Sequence, residues 1–354
     1  MKAVRSFLAL FIIISSVSVT YAADSSAGFY DDFSGFDLDS SKWLTAEKNW
    51  GGTVNENGEK VDYNGGVIAE NVHLQDGKLI FTGCGNLYEG AKRGINRNGT
   101  YRANGKRCGG AIATKEYFAS GSYEIRAKIA PELGCCSAMW TFEYEEDYSG
   151  DDVKITNHEI DIEFPGRDEN DELSLAHCLC TTWTGEGDDE HKTGSPYCSD
   201  QADGNFHTYR FDWHTGDENE IPRVEYYFDN KLVYTSYEYI PTNAGRLWLG
   251  LWFPRYWAGE PDFDRTTFEI DYIRITPFHE KGDKEQNESY PDSGWRKEPI
   301  IRGDANNDKN VDIRDATEMQ RNENTQYSAN TDLNDDEITS EADVALVLKS
   351  LFSK

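Results

Sequence analysis

Basic residues are scarce in this sequence. Its 354 residues include 35 Lys and Arg against 64 Asp and Glu, which gives a formal net charge of −29 at pH 7. Nucleic-acid binding depends on clustered Lys and Arg that neutralise phosphates, and anionic membrane surfaces attract the same residues. The charge therefore excludes nucleic acid and membranes as partners and favours a soluble protein that acts on a neutral molecule.

Long apolar runs are missing as well. The run Phe7–Ile14 is too short to cross a bilayer as a helix, and no other candidate follows it. It comes after Lys2 and Arg5 and is followed by small residues that end at Ala22. This three-part pattern predicts a secretory signal peptide over residues 1–22, rather than a membrane anchor, and thus a secreted, extracellular protein.

Cysteine is present in an odd number, seven, so at least one thiol has no partner within the chain. Cys135 and Cys136 are adjacent, and Cys178 and Cys180 would point the same way on a strand. Neither pair has the spacing of a zinc knuckle, so we assign no metal to them. The sequence does not determine a disulfide pairing.

Aromatic residues and short β-type segments are abundant. The chain has 9 Trp, 20 Tyr and 17 Phe, which excludes a disordered protein. Apolar and polar residues alternate in Gly121–Ala130 and Phe206–Trp213, and Asp229-Asn230 marks a hairpin between two further strands. Many short strands between Gly28 and Phe278, without a long helix, predict an all-β fold, a jelly-roll β-sandwich.

An acidic cluster lies in the middle of this region, where Asn157–Arg167 has the sequence NHEIDIEFPGR. Residues two apart on a strand share a face, so Glu159, Asp161 and Glu163 would project together while the isoleucines between them face the core. Three carboxylates on one face repel each other, which stability alone does not favour. One alternative is the solvated outer face of an edge strand.

The spacing of the two glutamates suits glycoside hydrolysis. The Cα atoms of Glu159 and Glu163 would lie about 13 Å apart at the rise of a strand. Side chains that lean inward would leave their carboxyl groups roughly 5 Å apart, the separation of a nucleophile and an acid in a retaining glycosidase. Asp161, between them, would hold their pKa values apart.

The segments around this cluster resemble glycoside hydrolase family 16. The resemblance covers about 250 residues, and its segments are SAMWTF with Trp140, GSYEIRAKIA, EIDIE, FHTYRFDW, EYYFDNKLV and IDYIRITPF. It implies a concanavalin A-like jelly roll over residues 23–279 and a retaining endo-β-glycanase that needs no cofactor for hydrolysis. It also implies that Glu159 is the nucleophile, Asp161 its helper, Glu163 the general acid and base, and Trp140 a sugar platform.

In this family, the absence of an extra residue between Asp161 and Glu163 is typical of lichenases, xyloglucan-active enzymes, agarases and carrageenases, whereas laminarinases usually carry a bulge. FDWHTG and LGLWFPRYWAG resemble bacterial lichenases most, which favours mixed-linkage β-1,3-1,4-glucan as substrate. Further predicted subsite residues are Trp183, Trp252, Arg255 and Trp257. The alternatives are β-1,3-glucan, xyloglucan or a galactan as substrate, and a non-catalytic jelly roll that only binds glycan.

The last part of the chain is of a different kind. Polar residues 280–300 predict a linker, after which Asp-x-Asn-x-Asp occurs twice, from Asp304 and from Asp332. Calcium prefers six to eight oxygen ligands in such a loop. The predicted calcium ligands are Asp304, Asn306, Asp308, Asn310 and Asp315 in loop 1 and Asp332, Asn334, Asp336 and Asp343 in loop 2.

Two such loops resemble a dockerin, which predicts a small α-helical calcium-loop module over residues 301–354. A dockerin implies a cohesin domain of a scaffolding protein as partner, as in a cellulosome. Loop 2 is predicted to be the poorer calcium site, because no glycine follows Asp336 and Ile338 comes one position early. The alternative is an acidic helical tail.

Overall fold

The computed structural model describes residues 28–49, 64–95, 107–147, 154–185, 190–254, 257–286, 294–322 and 327–352; within them, the side chains of Asn64, 144–147 and 154–155 are not described. The predicted signal peptide, residues 1–22, and the predicted subsite residue Arg255 lie outside these ranges. No helix in the described part of the chain is long and apolar enough to cross a membrane.

Short strands dominate the described residues between Phe29 and Pro277. In chain order they are β1 Phe29–Asp31, β2 Trp43–Thr45, β3 Asn64–Val67, β4 Val72–Gln75, β5 Lys78–Cys84, β6 Arg107–Thr114, β7 Gly121–Lys128, β8 Cys136–Asp147, β9 Lys154–Phe164, β10 Gly166–Arg167, β11 Leu173–Ser174, β12 Leu179–Trp183, β13 His191–Gly194, β14 His207–His214, β15 Arg223–Phe228, β16 Lys231–Ser236, β17 Arg246–Trp252 and β18 Arg265–Pro277. A single 3₁₀ turn, Ala69–Asn71, precedes β4.

Sixteen of these strands form two layers that are joined where Cys84 of β5 pairs with Cys108 of β6, and β10 and β11 form a separate two-stranded sheet. The first sheet has the order β4-β5-β18-β7-β14-β15-β16, and β1 pairs with the far end of β18. The second has the order β13-β12-β9-β8-β17-β6, with β2 and β3 also on β6. All these pairings are antiparallel except β3 with β6, as in a jelly roll and unlike a βαβ fold.

The main core lies between the two sheets. It receives alternate side chains of β7, β14 and β18 from the first sheet and of β8, β9 and β17 from the second. Tyr123 and Phe211, for example, stack with ring centroids 4.7 Å apart and are completely buried. The predicted all-β sandwich is therefore confirmed, and so is the alternation within Gly121–Ala130 and Phe206–Trp213.

The predicted hairpin is also present. Asp229 and Asn230 connect β15 to β16, and both have positive φ, 46° and 63°. This left-handed pair matches the twist of the two strands, and Asp and Asn tolerate it better than most residues.

The C-terminal segment contains two short helices, α1 Ile313–Arg321 and α2 Glu341–Phe352. Helix α1 begins with a capping box, in which the carboxylates of Asp312 and Asp315 accept hydrogen bonds from backbone N–H groups of the first turn. The two helices share a small core around Met319 and Val347. We refer to residues 301–352 as the C-terminal module.

The segment predicted as a linker follows the sandwich surface in its described parts. His214 donates to Glu280 over 2.7 Å, and Asp283 accepts from Ser120 Oγ over 2.9 Å. Trp295 stacks on Trp248 with ring centroids 4.7 Å apart.

Candidate active site

Strand β9 carries the acidic cluster in the interior of the second sheet, paired with β8 on one side and β12 on the other. Ile160 and Ile162 are buried in the main core, so Glu159, Asp161 and Glu163 lie on the opposite face. The predicted sharing of one face is therefore confirmed. The edge-strand alternative is wrong, because β9 has a partner strand on each side.

Neighbouring strands determine what the carboxylates face. In register, Glu159 lies between Phe142 and Trp183, and Asp161 lies between Trp140 and Thr181. Neither ladder has a bulge at the acidic cluster, so the three carboxylates keep regular spacing.

Glu159 is partly exposed and accepts a hydrogen bond of 2.6 Å from Nδ2 of Asn157. Burial raises its pKa, while Asn157 and Asp161 oppose that rise because their hydrogen bonds stabilise the charged carboxylate. Among the three carboxylates, Glu159 is the one whose ionised form receives hydrogen bonds from two side chains.

Asp161 is buried, with 3% of its surface exposed, and its Oδ2 accepts from Nε1 of Trp183 over 3.0 Å. Burial, followed by the charges of Glu159 and Glu163, raises its pKa well above the usual value. This raised pKa favours the protonated form of Asp161, whose hydroxyl can donate to Glu159.

Glu163 is partly exposed at the other end of the cluster. Burial, followed by the charge of Glu159, raises its pKa to about 8. The Cys136 thiol, with Sγ 3.9 Å from Oε1 of Glu163, opposes this rise. Glu163 is thus a protonated acid at neutral pH, while Glu159 is the best-stabilised anion of the three.

Aromatic side chains surround the carboxylates on the same face. Trp140 stacks on Trp248 at 5.5 Å, but the two are only 5% and 4% exposed, so little of either ring is available to a sugar. Trp252 and Trp257 meet edge to face at 5.7 Å and are both partly exposed. Trp183, predicted as a subsite residue, lies beside Asp161, to which its indole N–H donates a hydrogen bond.

Sequence reasoning missed two neighbours of the cluster. Asn157 is two residues before Glu159, so strand parity was sufficient to place it beside that carboxylate. Cys136 comes from β8, and its approach to Glu163 depends on the register between two strands, which the sequence does not specify. His158 faces away from the cluster, with Nε2 3.7 Å from Glu143 Oε2.

The region that contains the acidic cluster matches a known protein family. The profile of glycosyl hydrolases family 16 matches residues 82–274, more than half of the chain and all of β9. The chain belongs to this family. It is therefore a glycoside hydrolase. The alternative of a non-catalytic jelly roll that only binds glycan is not supported.

Relatives in family 16 match at modest identity. A beta-glucanase of Acetivibrio thermocellus is 26% identical over 343 residues, which cover 90% of this chain and 86% of the relative. The endo-1,3-1,4-beta-glycanase ExoK of Rhizobium meliloti is 30% identical over 173 residues, 47% of this chain and 57% of its own. The alignment with the Acetivibrio protein covers 90% of this chain, whereas residues 1–279 make up less than four fifths of it. That alignment therefore extends beyond the sandwich into the C-terminal part of the chain.

A solved structure gives the same fold. The laminarinase catalytic domain from Thermotoga maritima MSB8 superposes with a TM-score of 0.53 at 20% identity, covering 71% of this chain and 97% of that one. At this identity the likeness establishes the jelly-roll fold alone.

The two repeat loops lie beyond the family 16 match and have the same hydrogen bonds. In loop 1, the carboxylate of Asp304 accepts from the N–H groups of Asp308 and Lys309 over 3.0 and 2.9 Å. In loop 2, Asp332 accepts from Asp336 and Glu337 over 3.1 and 2.9 Å. Glu337 takes the left-handed conformation for which glycine was expected, with φ 67°, as Lys309 does in loop 1.

The donor types of these loops fit a hard cation, since they are carboxylate and amide oxygens. Asp304, Asp315, Asp332 and Asp343 are each at most 3% exposed, an unusual burial for carboxylates. They hydrogen-bond to loop backbone in the structure. Elsewhere in the described part of the chain, His214, Glu220 and Glu280 have ligand atoms that all lie within 4.8 Å of one another.

Proposed function

We propose that this protein is a secreted, retaining endo-β-glucanase that hydrolyses mixed-linkage β-1,3-1,4-glucan, with Glu159 as nucleophile and Glu163 as general acid and base. The observation that carries this proposal is the unequal environment of the two glutamates on β9. Glu159 accepts a hydrogen bond from Asn157 over 2.6 Å, whereas burial and the charge of Glu159 raise the pKa of Glu163 to about 8 and favour its protonated form at neutral pH. Retaining hydrolysis requires this pairing of an anion with an acid.

In the first step, Glu163 donates its proton to the glycosidic oxygen as the bond to the leaving sugar breaks. Glu159 attacks the anomeric carbon from the opposite side and forms a covalent glycosyl ester. As the negative charge of Glu159 disappears into the ester, the hydrogen bonds from Asn157 and Asp161 weaken.

In the second step, Glu163 is ionised and takes a proton from water. The resulting hydroxide adds to the anomeric carbon, and the ester bond to Glu159 breaks. Both carboxyl groups return to their starting state, and the two inversions give a product with the β configuration of the substrate.

Two observations support mixed-linkage β-glucan as the substrate: the sequence around the cluster resembles lichenases, and the relatives include an endo-1,3-1,4-beta-glycanase. The regular pairing of β9, without a bulge between Asp161 and Glu163, disfavours a laminarinase but does not separate lichenases from xyloglucan- or galactan-active members. Initial rates of reducing-sugar release from barley β-glucan, laminarin, xyloglucan and agarose would test this choice. A higher rate on laminarin or agarose than on barley glucan would contradict the substrate and leave the mechanism intact.

We further propose that the C-terminal module is dockerin-like, holds Ca²⁺ in its two loops, and binds a cohesin domain of a scaffolding protein. The doubled Asp-x-Asn-x-Asp sequence, the buried loop carboxylates and the helix after each loop support this. Secretion is supported by the N-terminal pattern of charged, apolar and small residues. A cohesin pull-down with and without chelator would test the partner.

Azide distinguishes the roles of the two glutamates. Glu159→Ala should be inactive and, with azide and an aryl β-glycoside of a glucan oligosaccharide, should give the α-glycosyl azide, since azide replaces the nucleophile. The matched variant Glu163→Ala should give the β-glycosyl azide, because its nucleophile is intact and azide attacks the ester. Appearance of the same anomer from both variants, or an α product from the native enzyme by NMR, would disprove the assignment.

A further inference from the structure

The C-terminal module contacts the sandwich through side chains of loop 2. Lys92, which lies between β5 and β6 in sequence, is fully buried and forms an ion pair with Asp335. The Asp335 carboxylate also accepts from Oγ1 of Thr82 in β5 over 2.7 Å. An ammonium group buried without a partner would be strongly unfavourable, so Lys92 depends on Asp335 when the module is in place.

Glu337, two residues further along loop 2, also contacts the sandwich. Its carboxylate accepts from the hydroxyl of Tyr88 and from the N–H of Ala91, each over 2.6 Å. A Cβ atom at Gly90 would collide with this carboxylate, so the glycine leaves the space that Glu337 occupies. Arg265 of β18 donates to the backbone oxygen of Asp335 over 2.9 Å.

A second set of contacts lies away from loop 2. Phe36, from the segment before β2, packs against the small core of the module. The N–H of Arg302 donates to Asp37 over 3.3 Å, and Tyr327 donates to Glu70 over 3.1 Å. Apolar packing and hydrogen bonds thus flank the ion pair.

Loop 1 provides an internal comparison. Its residues at the positions of Asp335 and Glu337 are Asn307 and Lys309, which have the same left-handed backbone, with φ of 60° and 67° in both loops. Both are exposed; Asn307 accepts from Asn330 within the module, and Lys309 pairs with the exposed Glu298 over 3.3 Å. Equivalent backbones therefore carry side chains that contact the sandwich in one loop and solvent in the other.

We propose that loop 2 is an intramolecular docking element that fixes the C-terminal module to the catalytic sandwich, so that the two move as one body. Its carboxylates at the first, fifth and twelfth positions and the Asn334 amide at the third turn into the loop, while the carboxylates at the fourth and sixth positions bind the sandwich. The loop 1 side of the module then remains for an external partner. This inference depends neither on the substrate nor on occupancy of the loops by calcium.

The test compares matched double variants of the full chain. Asp335→Ala with Glu337→Ala should leave Lys92 unpaired in the docked state and release the module from the sandwich. Small-angle X-ray scattering should then show a larger radius of gyration, and limited proteolysis should liberate a module-sized fragment at least about tenfold faster. Asn307→Ala with Lys309→Ala should leave both readouts unchanged.

A variant on the sandwich side removes the remaining ambiguity. Lys92→Met alone should also weaken docking, because it leaves Asp335 without its cation, and Lys92→Met with Asp335→Leu should recover the compact profile. Retained glycoside hydrolysis in each variant would show that the sandwich is folded. An extended profile for the native chain, or equal proteolysis of the loop 1 and loop 2 variants, would overturn the proposal.

Discussion

At the scale of single residues, the three carboxylates of β9 differ in the hydrogen-bond donors that surround them. Asp161 is buried between two acids, so its neutral form is favoured, and its proton can stabilise the charge of only one neighbour at a time. Glu159 has Asn157 as an additional donor, whereas among the described residues the donor beside Glu163 is the weaker thiol of Cys136. The unequal donors, rather than any difference between the glutamates themselves, distinguish the proposed nucleophile, Glu159, from the proposed acid, Glu163.

The raised pKa of Glu163 predicts the basic limb of the pH profile. The acid must be protonated, so kcat/KM should fall as pH rises through about 8. Glu163→Gln should lower kcat on polysaccharide by about 10²–10⁴ and remove this limb for an aryl glycoside whose leaving group needs no proton. An unchanged limb in that variant would assign it to another group.

The same shift predicts a dependence of stability on pH. The folded pKa of Glu163, about 8, lies above its usual value of 4.5, so its contribution is fully present below 4.5 and lost as pH rises through 8. The Tm of the native enzyme should therefore decrease over this range relative to that of Glu163→Gln. Parallel Tm curves for the two proteins, measured by calorimetry, would contradict the shift.

Trp183 should act through Asp161. Trp183→Phe keeps an aromatic ring but removes the N–H that donates to Oδ2 of Asp161. We expect kcat to decrease roughly tenfold, the effect of one lost hydrogen bond, with little change in KM. A large increase in KM at constant kcat would instead indicate the subsite role predicted from the sequence.

These residues show how far sequence reasoning reached. Strand parity placed Glu159, Asp161 and Glu163 on one face without knowledge of any other strand. Parity could also have found Asn157. It could not find Cys136, nor the hydrogen bond from Trp183 to Asp161, because both depend on the register between strands that are distant in sequence.

At the scale of elements, the sequence predicted the features that depend on neighbouring residues along the chain. Alternating burial in β7 and β14 and the Asp229-Asn230 turn follow from side-chain order alone. The order of strands does not, since β17 lies between β8 and β6, and that arrangement is fixed by packing of the whole core. The linker prediction rested on polarity, which does not distinguish a free spacer from a segment that follows a polar surface.

The β15–β16 hairpin offers a direct test of turn chemistry. Asn230 has φ of 63°, a conformation that costs a β-branched residue about 1–2 kcal/mol. Asn230→Val should therefore lower the free energy of unfolding by that amount in urea titrations, whereas Asn230→Gly should not lower it. Asp229 is unsuitable for this purpose, because its carboxylate also pairs with His207.

At the scale of the whole molecule, the sandwich and the module have different sources of order. The sandwich has a large apolar core, whereas the module has a small one around Met319 and Val347 together with four nearly buried loop carboxylates. Small domains of this size commonly need a metal or a partner surface to fold. The module has the sandwich as one such surface, and its loops supply the ligand types for the other.

The two loops should bind calcium about equally, which differs from the prediction made from sequence. That prediction ranked loop 2 lower for its missing glycine and for the early position of Ile338. In the structure, however, Glu337 adopts the required left-handed backbone, Asp332 accepts from the N–H groups of the equivalent two residues as Asp304 does, and the N–H of Ile338 donates to Asp336 as that of Asn310 does to Asp308. Titration calorimetry of the full chain should thus give two sites, of which Asp304→Ala and Asp332→Ala each remove one. Because binding a cation relieves repulsion between buried carboxylates, calcium should also raise the Tm of the native chain. A single site that survives Asp332→Ala would restore the original ranking of the loops, and no heat of binding would leave the module with the sandwich as its one stabilising partner.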